Sequence, residues 1–117
     1  IMEAMVTDSG ALEEAVNIPN QGFIADLPEW IAVEVPATVD KTGMHGLSFG
    51  HLPKGFAGLL VNQVAVHDLT AEAVLKKSRS AARQALLVDP NVNRYHGMSE
   101  LLDTMIAYQP EWLGYLR

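Results

Sequence analysis

Four histidines are the residues of this chain best suited to bind a metal ion or to move a proton near neutral pH. They are His45, His51, His67 and His96. No two of them stand three or four residues apart, the helical spacing at which two imidazoles reach one metal ion. The chain also has no cysteine, which excludes a thiolate nucleophile, a disulfide and a cysteine-based zinc site within it. We therefore expect surface or turn histidines and no metal site built wholly from this chain.

Glutamates at positions 13, 14, 29 and 34 could supply the pair of carboxylates that acid and base catalysis of glycoside hydrolysis requires. Glu34 differs from the others because it stands inside an apolar run. There, a strand period of two places it on the face opposite Ile31, Val33 and Val35. A solvated sheet face, or an ion pair with a helix, explains such a residue without catalysis. We expect this structural role for Glu34.

Two pairs of polar residues have a spacing suited to ligand binding. Arg79 and Arg83 lie one helical turn apart and could hold an anion, although such pairs are typical of solvated helix faces. Asn17 and Asn20 lie on either side of Ile18 and Pro19, where they form a turn or direct their amides at a ligand. The residues alone favour the solvated face and the turn.

Short motifs that build a phosphate-binding loop, a dinucleotide site or a serine nucleophile are missing from the sequence. It contains no P-loop, no G-x-G-x-x-G and no G-x-S-x-G, and the GFAG stretch at 55–58 is too short to cradle a phosphate. The residues therefore predict a packing domain without an active site of its own.

The composition argues against two classes of partner. The net charge is −6, and the eight lysines and arginines are scattered, whereas nucleic-acid binding needs them clustered. No apolar run approaches the roughly 20 residues that span a bilayer. No secretory signal is recognisable either, and the lack of cysteine favours the cytosol. We expect no nucleic acid and no membrane as partners, and a cytoplasmic location.

Three strands are predicted in the first half of the chain. Residues 13–19 and 30–39 have the apolar pattern of strands, and the bend between them, with Asn20, pairs them antiparallel. A turn at 40–43 leads to a third strand at 44–50. Pro36 lacks an amide donor, so we expect it at a strand end or at an edge.

Helices are predicted from Pro53 onwards, where apolar residues begin to recur at helical spacing. A first helix runs towards His67. Asp68 or Thr70 then caps a stretch of two helices, or of one bent helix, that Asp89-Pro90 closes.

The last helix is predicted to begin at a Ser99 cap and to end before Pro110. The apolar tail at 112–116 is expected to dock on the domain or on a neighbouring subunit. At the other end, Ile1, Met2, Met5 and Val6 form an apolar stripe without a preceding helix cap. This stripe indicates that the chain opens inside a helix and that upstream residues are missing.

Strands followed by helices indicate an α+β fold, in which helices pack on one face of a small antiparallel sheet in the N-terminal half. The length of 117 residues fits a single domain spanning residues 1–117.

A series of short motifs gives this chain a family resemblance. NIPNQGFIADLPEWIAVEVPATVDKTG (17–43), GHLP (50–53) and ALLVDP (85–90) occur in this order. Together they resemble the C-terminal region of family 4 glycoside hydrolases, particularly the α-galactosidase and α-glucosidase branch. The resemblance runs from about Ile1 to the end of the chain.

The resemblance implies a fold like that of lactate and malate dehydrogenases, in which a dinucleotide-binding domain precedes a C-terminal α+β domain. It also implies an NAD- and manganese-dependent hydrolysis, outside the usual two-carboxylate scheme. In that reaction NAD oxidises the sugar at C3, a base removes the C2 proton, and the C1–oxygen bond breaks by elimination. Water then adds and the hydride returns.

The family's glycine-rich turn, its metal-binding cysteine and histidine, and its base belong to sequence upstream of the matched region. The resemblance therefore assigns no catalytic, cofactor or metal residue here, and we expect the chain alone to be inactive. The resemblance implies a structural role for this chain, which closes the active site and forms oligomer contacts. An unphosphorylated α-galactoside or α-glucoside is the expected substrate.

One substrate-binding residue is predicted. The bend from Asn20 to Leu27 is expected to direct polar groups at the sugar or at the domain interface, with Asn20 as the binding residue. The alternative is a plain hairpin.

Two other functions stay open at this point. One is a free-standing α+β domain that binds a partner through Trp112, Leu113 and Tyr115. The other is the C-terminal domain of a 2-hydroxy-acid dehydrogenase, but that enzyme class needs a catalytic histidine and arginine for which the sequence offers no convincing match.

Overall fold

The computed structural model describes residues 1–116. Its elements are α1 (Met2–Thr7), β1 (Ala11–Pro19), β2 (Ala32–Asp40), β3 (Gly43–Gly46), α2 (Lys54–Leu75), α3 (Arg79–Val88), a 3-10 turn (Tyr95–Gly97), α4 (Met98–Tyr108) and α5 (Pro110–Leu113). The α+β class predicted from the sequence is confirmed. The chain divides into two compact units, residues 1–58 and the residues from 59 onwards.

The sheet of the first unit has three antiparallel strands in the order β1-β2-β3. The predicted pairing of β1 with β2 is confirmed, with Val16 opposite Val35 and Ile18 opposite Val33. The third strand is shorter than predicted because it ends at Gly46. After it, the chain leaves the ladder, and the amide of Leu47 donates to the carbonyl of Pro36 at 2.7 Å.

Pro36 lies in the middle of the central strand, so its predicted place at a strand end or an edge is wrong. The register explains how the sheet accommodates it. Glu13 pairs with Ala37 and Val16 with Val35, so two residues of β1 stand opposite Pro36. This bulge interrupts the ladder at the position where proline has no amide to donate.

The alternation of β2 places its apolar side chains inside, as the sequence predicts. Val33, Val35, Ala37 and Val39 are buried, whereas Glu34 between them is exposed. Val33 and Val35 form a core cluster with Ile24. The expected solvated position of Glu34 is confirmed.

The helix α2 is longer than predicted, because Asp68 and Thr70 lie inside it and cap nothing. The hydroxyl of Thr70 instead donates to the carbonyl of Val66 at 2.7 Å. The break comes later, at Lys77, which takes a left-handed φ of 52°. The amide of Ser78 then donates back to the carbonyl of Ala73 at 2.9 Å, an arrangement that closes helix C-termini. A residue that can cap a helix marks a helix boundary only where the backbone leaves the helical conformation.

The helix α3 begins with Ser78 as its cap, whose hydroxyl accepts a hydrogen bond from the amide of Ala81. The prediction of Ser99 as the cap of the last helix is wrong by two residues, since Gly97 occupies that position. The predicted stop before Pro110 is confirmed.

The core of the second unit joins its helices and the C-terminal tail. Ala73, Ala81, Leu102 and Leu116 are buried together, and Leu113 and Tyr115 pack against them. The tail therefore docks on the domain, as predicted, although Trp112 stays exposed.

The apolar stripe predicted for α1 is exposed. The helix buries Ala4 instead, and the side chains of Met2 and Val6 are largely in solvent. Within residues 1–116, no helix is both long and apolar enough to cross a membrane.

The turn between β2 and β3 is held by one carboxylate. The Oδ1 atom of Asp40 accepts hydrogen bonds from the hydroxyl of Thr42 (2.5 Å) and from its amide (2.7 Å). It also lies 3.1 Å from Nε2 of His45. The Thr42 hydroxyl, the Thr42 amide and then His45 lower the pKa of Asp40 to about 2. The turn thus favours the charged form of this carboxyl.

The first prediction concerns the core beneath the sheet. Val35→Ala should lower the free energy of unfolding by about 2 kcal/mol, because it removes two buried methyl groups and leaves a cavity. Urea denaturation measures the change. Val6→Ala, at a side chain that is 86% exposed, is the control and should change it by less than about 0.5 kcal/mol. Equal losses from both variants would contradict the described core.

The second prediction concerns the Asp40 turn and pH. Because the folded pKa lies below that of the unfolded chain, the carboxylate stabilises the fold above about pH 4. This contribution should disappear as the pH falls from about 4 to about 2. Melting temperatures of the wild type and of Asp40→Asn should therefore differ at pH 7 and converge towards pH 2. A difference that is independent of pH would contradict this assignment.

Candidate functional site

The connection between β1 and β2, residues 20–31, is named here the Asn20 loop. Asn20 opens it and is the only buried polar residue among residues 1–116, with 0% of its surface exposed. Its Nδ2 donates to the carbonyls of Ile24 (2.9 Å), Leu27 (2.9 Å) and Pro28 (3.1 Å). Its Oδ1 accepts from the amide of Ile24 at 2.7 Å. One side chain therefore binds two separate segments of the loop, at Ile24 and at Leu27–Pro28.

The backbone closes the mouth of the Asn20 loop. The amide of Asn20 donates to the carbonyl of Ile31 at 2.8 Å, and that of Gln21 donates to the carbonyl of Glu29 at 3.0 Å. Gln21 and Gly22 then turn the chain with φ values of 45° and 90°. Glycine takes this conformation at little cost, but glutamine takes it rarely. The loop is thus a built structure and not a simple hairpin.

A second segment, residues 47–52, holds the outer side of the Asn20 loop. The amide of Phe49 donates to the carbonyl of Phe23 at 2.8 Å, and that of Ala25 donates to the carbonyl of Gly50 at 2.9 Å. The loop also lies close to β3, since a Cβ on Gly46 would stand 2.7 Å from the ring of Phe23. Only glycine fits at that position without displacing the ring.

Asp26 completes this attachment. Its Oδ2 accepts a hydrogen bond from the amide of Leu52 at 2.7 Å, and its Oδ1 lies 3.1 Å from Nδ1 of His51. The Leu52 amide, followed by the His51 side chain, lowers the pKa of Asp26 below its usual value. A carboxylate that holds one ring nitrogen orients the imidazole and leaves the other nitrogen available. The His51 side chain is 81% exposed, so its Nε2 faces solvent.

The Asp26–His51 pair was not predictable from the sequence, because its members are 25 residues apart and no local pattern connects them. The other three histidines contact residues outside the Asn20 loop. His45 belongs to the Asp40 turn, His67 contacts the amide of Gln63, and His96 packs edge-on against Tyr95. Among residues 1–116, no group of three or more His, Cys, Asp or Glu could hold a metal ion.

The predicted site residue Asn20 forms the turn that the sequence alone favours. Its acceptor and both donors are occupied by backbone groups, and three carbonyls share the two donors. Asn20 is also fully buried, so contact with a sugar would require the loop to open, and direct substrate binding by Asn20 stays a prediction. Asn17 lies on β1 opposite Glu34, with its side chain exposed.

The two arginines of α3 line a hollow of about 300 Å³ in the second unit, together with Tyr95. Arg79 is paired with Asp103 of α4, which neutralises part of its charge. Arg83 is exposed. This arrangement matches the solvated helix face that the sequence favours, with one ion pair between two helices.

An apolar hollow of about 230 Å³ also lies in the second unit. Small side chains on α2 and α3 leave this space, and Leu102, Met105 and Leu116 complete its walls. Its lining offers few polar groups to a sugar.

Comparison with known proteins identifies the family. Residues 1–92 match the family 4 glycosyl hydrolase C-terminal domain. The chain is 56% identical over its whole length to an α-glucosidase of Erwinia rhapontici, and 28% identical over 97% of its length to an α-galactosidase of Bacillus subtilis. It spans 26% and 27% of the length of these two relatives.

Solved structures agree with this assignment. A 6-phospho-α-glucosidase from gut microorganisms, in complex with NAD and glucose-6-phosphate, superposes with a TM-score of 0.83 at 28% identity. The match covers 99% of this chain and 25% of that one. The 6-phospho-β-glucosidase of Thermotoga maritima, with manganese, NAD+ and glucose-6-phosphate, gives a TM-score of 0.80 at 31% identity, over 95% of this chain and 28% of that one.

The chain therefore belongs to family 4 of the glycosyl hydrolases and is a C-terminal domain of that family. The resemblance carried by the NIPNQG, VEVP, GHLP and LVDP motifs is confirmed, and the dehydrogenase alternative is set aside.

The third prediction concerns Asn20. Asn20→Ala should lower the free energy of unfolding by about 2–3 kcal/mol, because it removes the side-chain partner of the Ile24 amide and of the Leu27 carbonyl, and one of the two donors to each of the Ile24 and Pro28 carbonyls. Asn17→Ala removes an exposed amide of the same type and should cost less than about 0.5 kcal/mol. Urea denaturation of both variants makes the comparison. A mild effect of Asn20→Ala would mean that the loop does not depend on this side chain.

Proposed function

We propose that the complete protein is an α-glycosidase that hydrolyses unphosphorylated α-glucosides. The observation that carries this proposal is the 56% identity to an α-glucosidase along all 117 residues. Identity to the α-galactosidase is 28%, and to a phospho-α-glucosidase of Clostridium acetobutylicum it is 34% over 74% of the chain. An α-glucoside is therefore favoured over an α-galactoside and over a phosphorylated sugar.

The chain itself is proposed to be one domain of that enzyme, residues 1–117, which follows a dinucleotide-binding domain outside these residues. Its relatives are about four times as long, which supports this division. We also propose a cytoplasmic location, on the ground that the chain contains no cysteine for disulfides.

The cofactors of the solved relatives do not fit the residues of this chain. Residues 1–116 offer no group of three metal ligands, and the sequence has no glycine-rich dinucleotide motif. We propose that the complete enzyme uses NAD and manganese for oxidation, elimination, addition and reduction. The residues that hold both groups would then lie outside this chain.

The role left to this domain is structural. We propose that the Asn20 loop closes one side of the active site, since it combines a buried hydrogen-bonded base with exposed polar side chains. Apolar residues on helix faces would form contacts with other subunits. On α2, the side chains of Leu59, Leu60 and Leu75 are exposed. Exposure of apolar side chains to water is unfavourable, and their burial in an interface would be favourable.

We propose that Asn20 contributes to substrate binding indirectly, because it fixes the conformation of this loop. In the complete enzyme, Asn20→Ala should then lower turnover and the melting temperature together. Lost turnover at an unchanged melting temperature would instead support direct contact between Asn20 and the sugar, as predicted from the sequence.

The fourth prediction tests the reaction. With NAD+ and Mn²⁺, the complete enzyme should hydrolyse methyl α-glucoside in preference to its 6-phosphate. In deuterium oxide the glucose released should carry deuterium at C2, because removal of the C2 proton is part of the proposed elimination. Activity without NAD+, or glucose without deuterium at C2, would contradict the proposed mechanism.

A further inference from the structure

Trp30 occupies an unusual position at the mouth of the Asn20 loop. On one side of the mouth, Asn20 and Gln21 are consecutive. Their amides donate to Ile31 and Glu29, two residues apart on the other side. Trp30 lies between these two bonds, at the third position of a β-turn (28–31) that the amide of Ile31 closes by donating to the carbonyl of Pro28 at 3.4 Å. The bonds to Asn20 and Gln21 and the turn bond together restrict the backbone on both sides of Trp30.

The side chain of Trp30 is presented to solvent. Trp30 is 59% exposed, and Gln21 and Glu29 on either side of the mouth are exposed as well. The bond between the Gln21 amide and the Glu29 carbonyl keeps the backbones of these two residues together at 3.0 Å. An indole, an amide and a carboxylate are thus exposed on residues whose backbones lie close together.

The support beneath this surface is rigid. The four hydrogen bonds of the Asn20 side chain and the attachment of Asp26 to Leu52 hold the loop from inside and from its outer side. Single exposed aromatic residues are ordinary on protein surfaces. Trp30 differs because the residues on both sides of it are hydrogen-bonded across the mouth of the loop and within the 28–31 turn, which restricts its backbone.

We propose that Trp30, with Gln21 and Glu29, binds a pyranose ring of the glycoside. The C–H groups on one face of a pyranose are apolar and stack on an aromatic ring. Its equatorial hydroxyls donate to carboxylates and exchange hydrogen bonds with amides. This inference rests on the proposed glycosidase function and adds to it a sugar subsite on this domain.

The test measures binding to the complete enzyme by titration calorimetry, with methyl α-glucoside and with maltose as probes. Trp30→Ala should weaken the binding of maltose about tenfold, because it removes the stacking surface. Trp30→Phe keeps an aromatic ring and should recover most of the affinity. Trp112→Ala, at the other tryptophan of the chain, is the matched control and should leave affinity unchanged.

The two probes identify the ring that is bound. Weaker binding of both sugars would place the glucose that is hydrolysed on Trp30, and weaker binding of maltose alone would place the leaving sugar there. Trp30→Ala with wild-type affinity for both sugars would overturn the inference, and so would a wild-type enzyme that binds neither. A wild-type enzyme that binds neither sugar would contradict the proposed α-glucoside specificity as well. Failure of the subsite alone is recognised by a wild-type enzyme that binds and hydrolyses the sugars while Trp30→Ala keeps full affinity.

Discussion

The buried amide of Asn20 is the interaction on which the first unit depends. An amide that is taken out of water without partners is costly, so its burial is stable only if its donors and acceptor are satisfied. Here backbone groups of Ile24, Leu27 and Pro28 satisfy them. The same bonds fix the path of a loop with little regular structure. The hydrogen bonds of one side chain therefore take the place of the backbone hydrogen bonds that would hold a longer β-hairpin.

This constraint connects the core to the exposed surface. Ile24, which exchanges two hydrogen bonds with Asn20, also packs with Val33 and Val35 of the sheet. On its outer side the loop is held by segment 47–52. A rigid scaffold that presents a loop is the usual arrangement of binding sites in proteins. The proposed contact with the substrate thus falls on a loop that the sheet and segment 47–52 hold in place.

The sequence predicted what depends on local pattern. The two-residue period that includes Val33, Val35 and Val39 predicted β2 and its buried face, and Pro110 predicted the end of α4. It misplaced Pro36, because the bulge that accommodates this residue lies on β1, far along the chain. It also divided α2 at Asp68 or Thr70, where the helix continues and the hydroxyl of Thr70 donates to the carbonyl of Val66. The turn role of Asn20 was predictable, but its four partners and the Asp26–His51 pair arise from the folded backbone.

Amide hydrogen exchange at Ile24 tests the central role of Asn20 most directly. The Ile24 amide donates to Oδ1 of Asn20 at 2.7 Å, inside a loop that lacks a regular ladder. If this side chain holds the loop, the Ile24 amide should exchange as slowly as the amides in the middle of β2, because both become accessible to solvent only when the whole first unit unfolds. Exchange at the rate of an open surface loop would contradict the account, since it would show that the loop opens independently of the sheet.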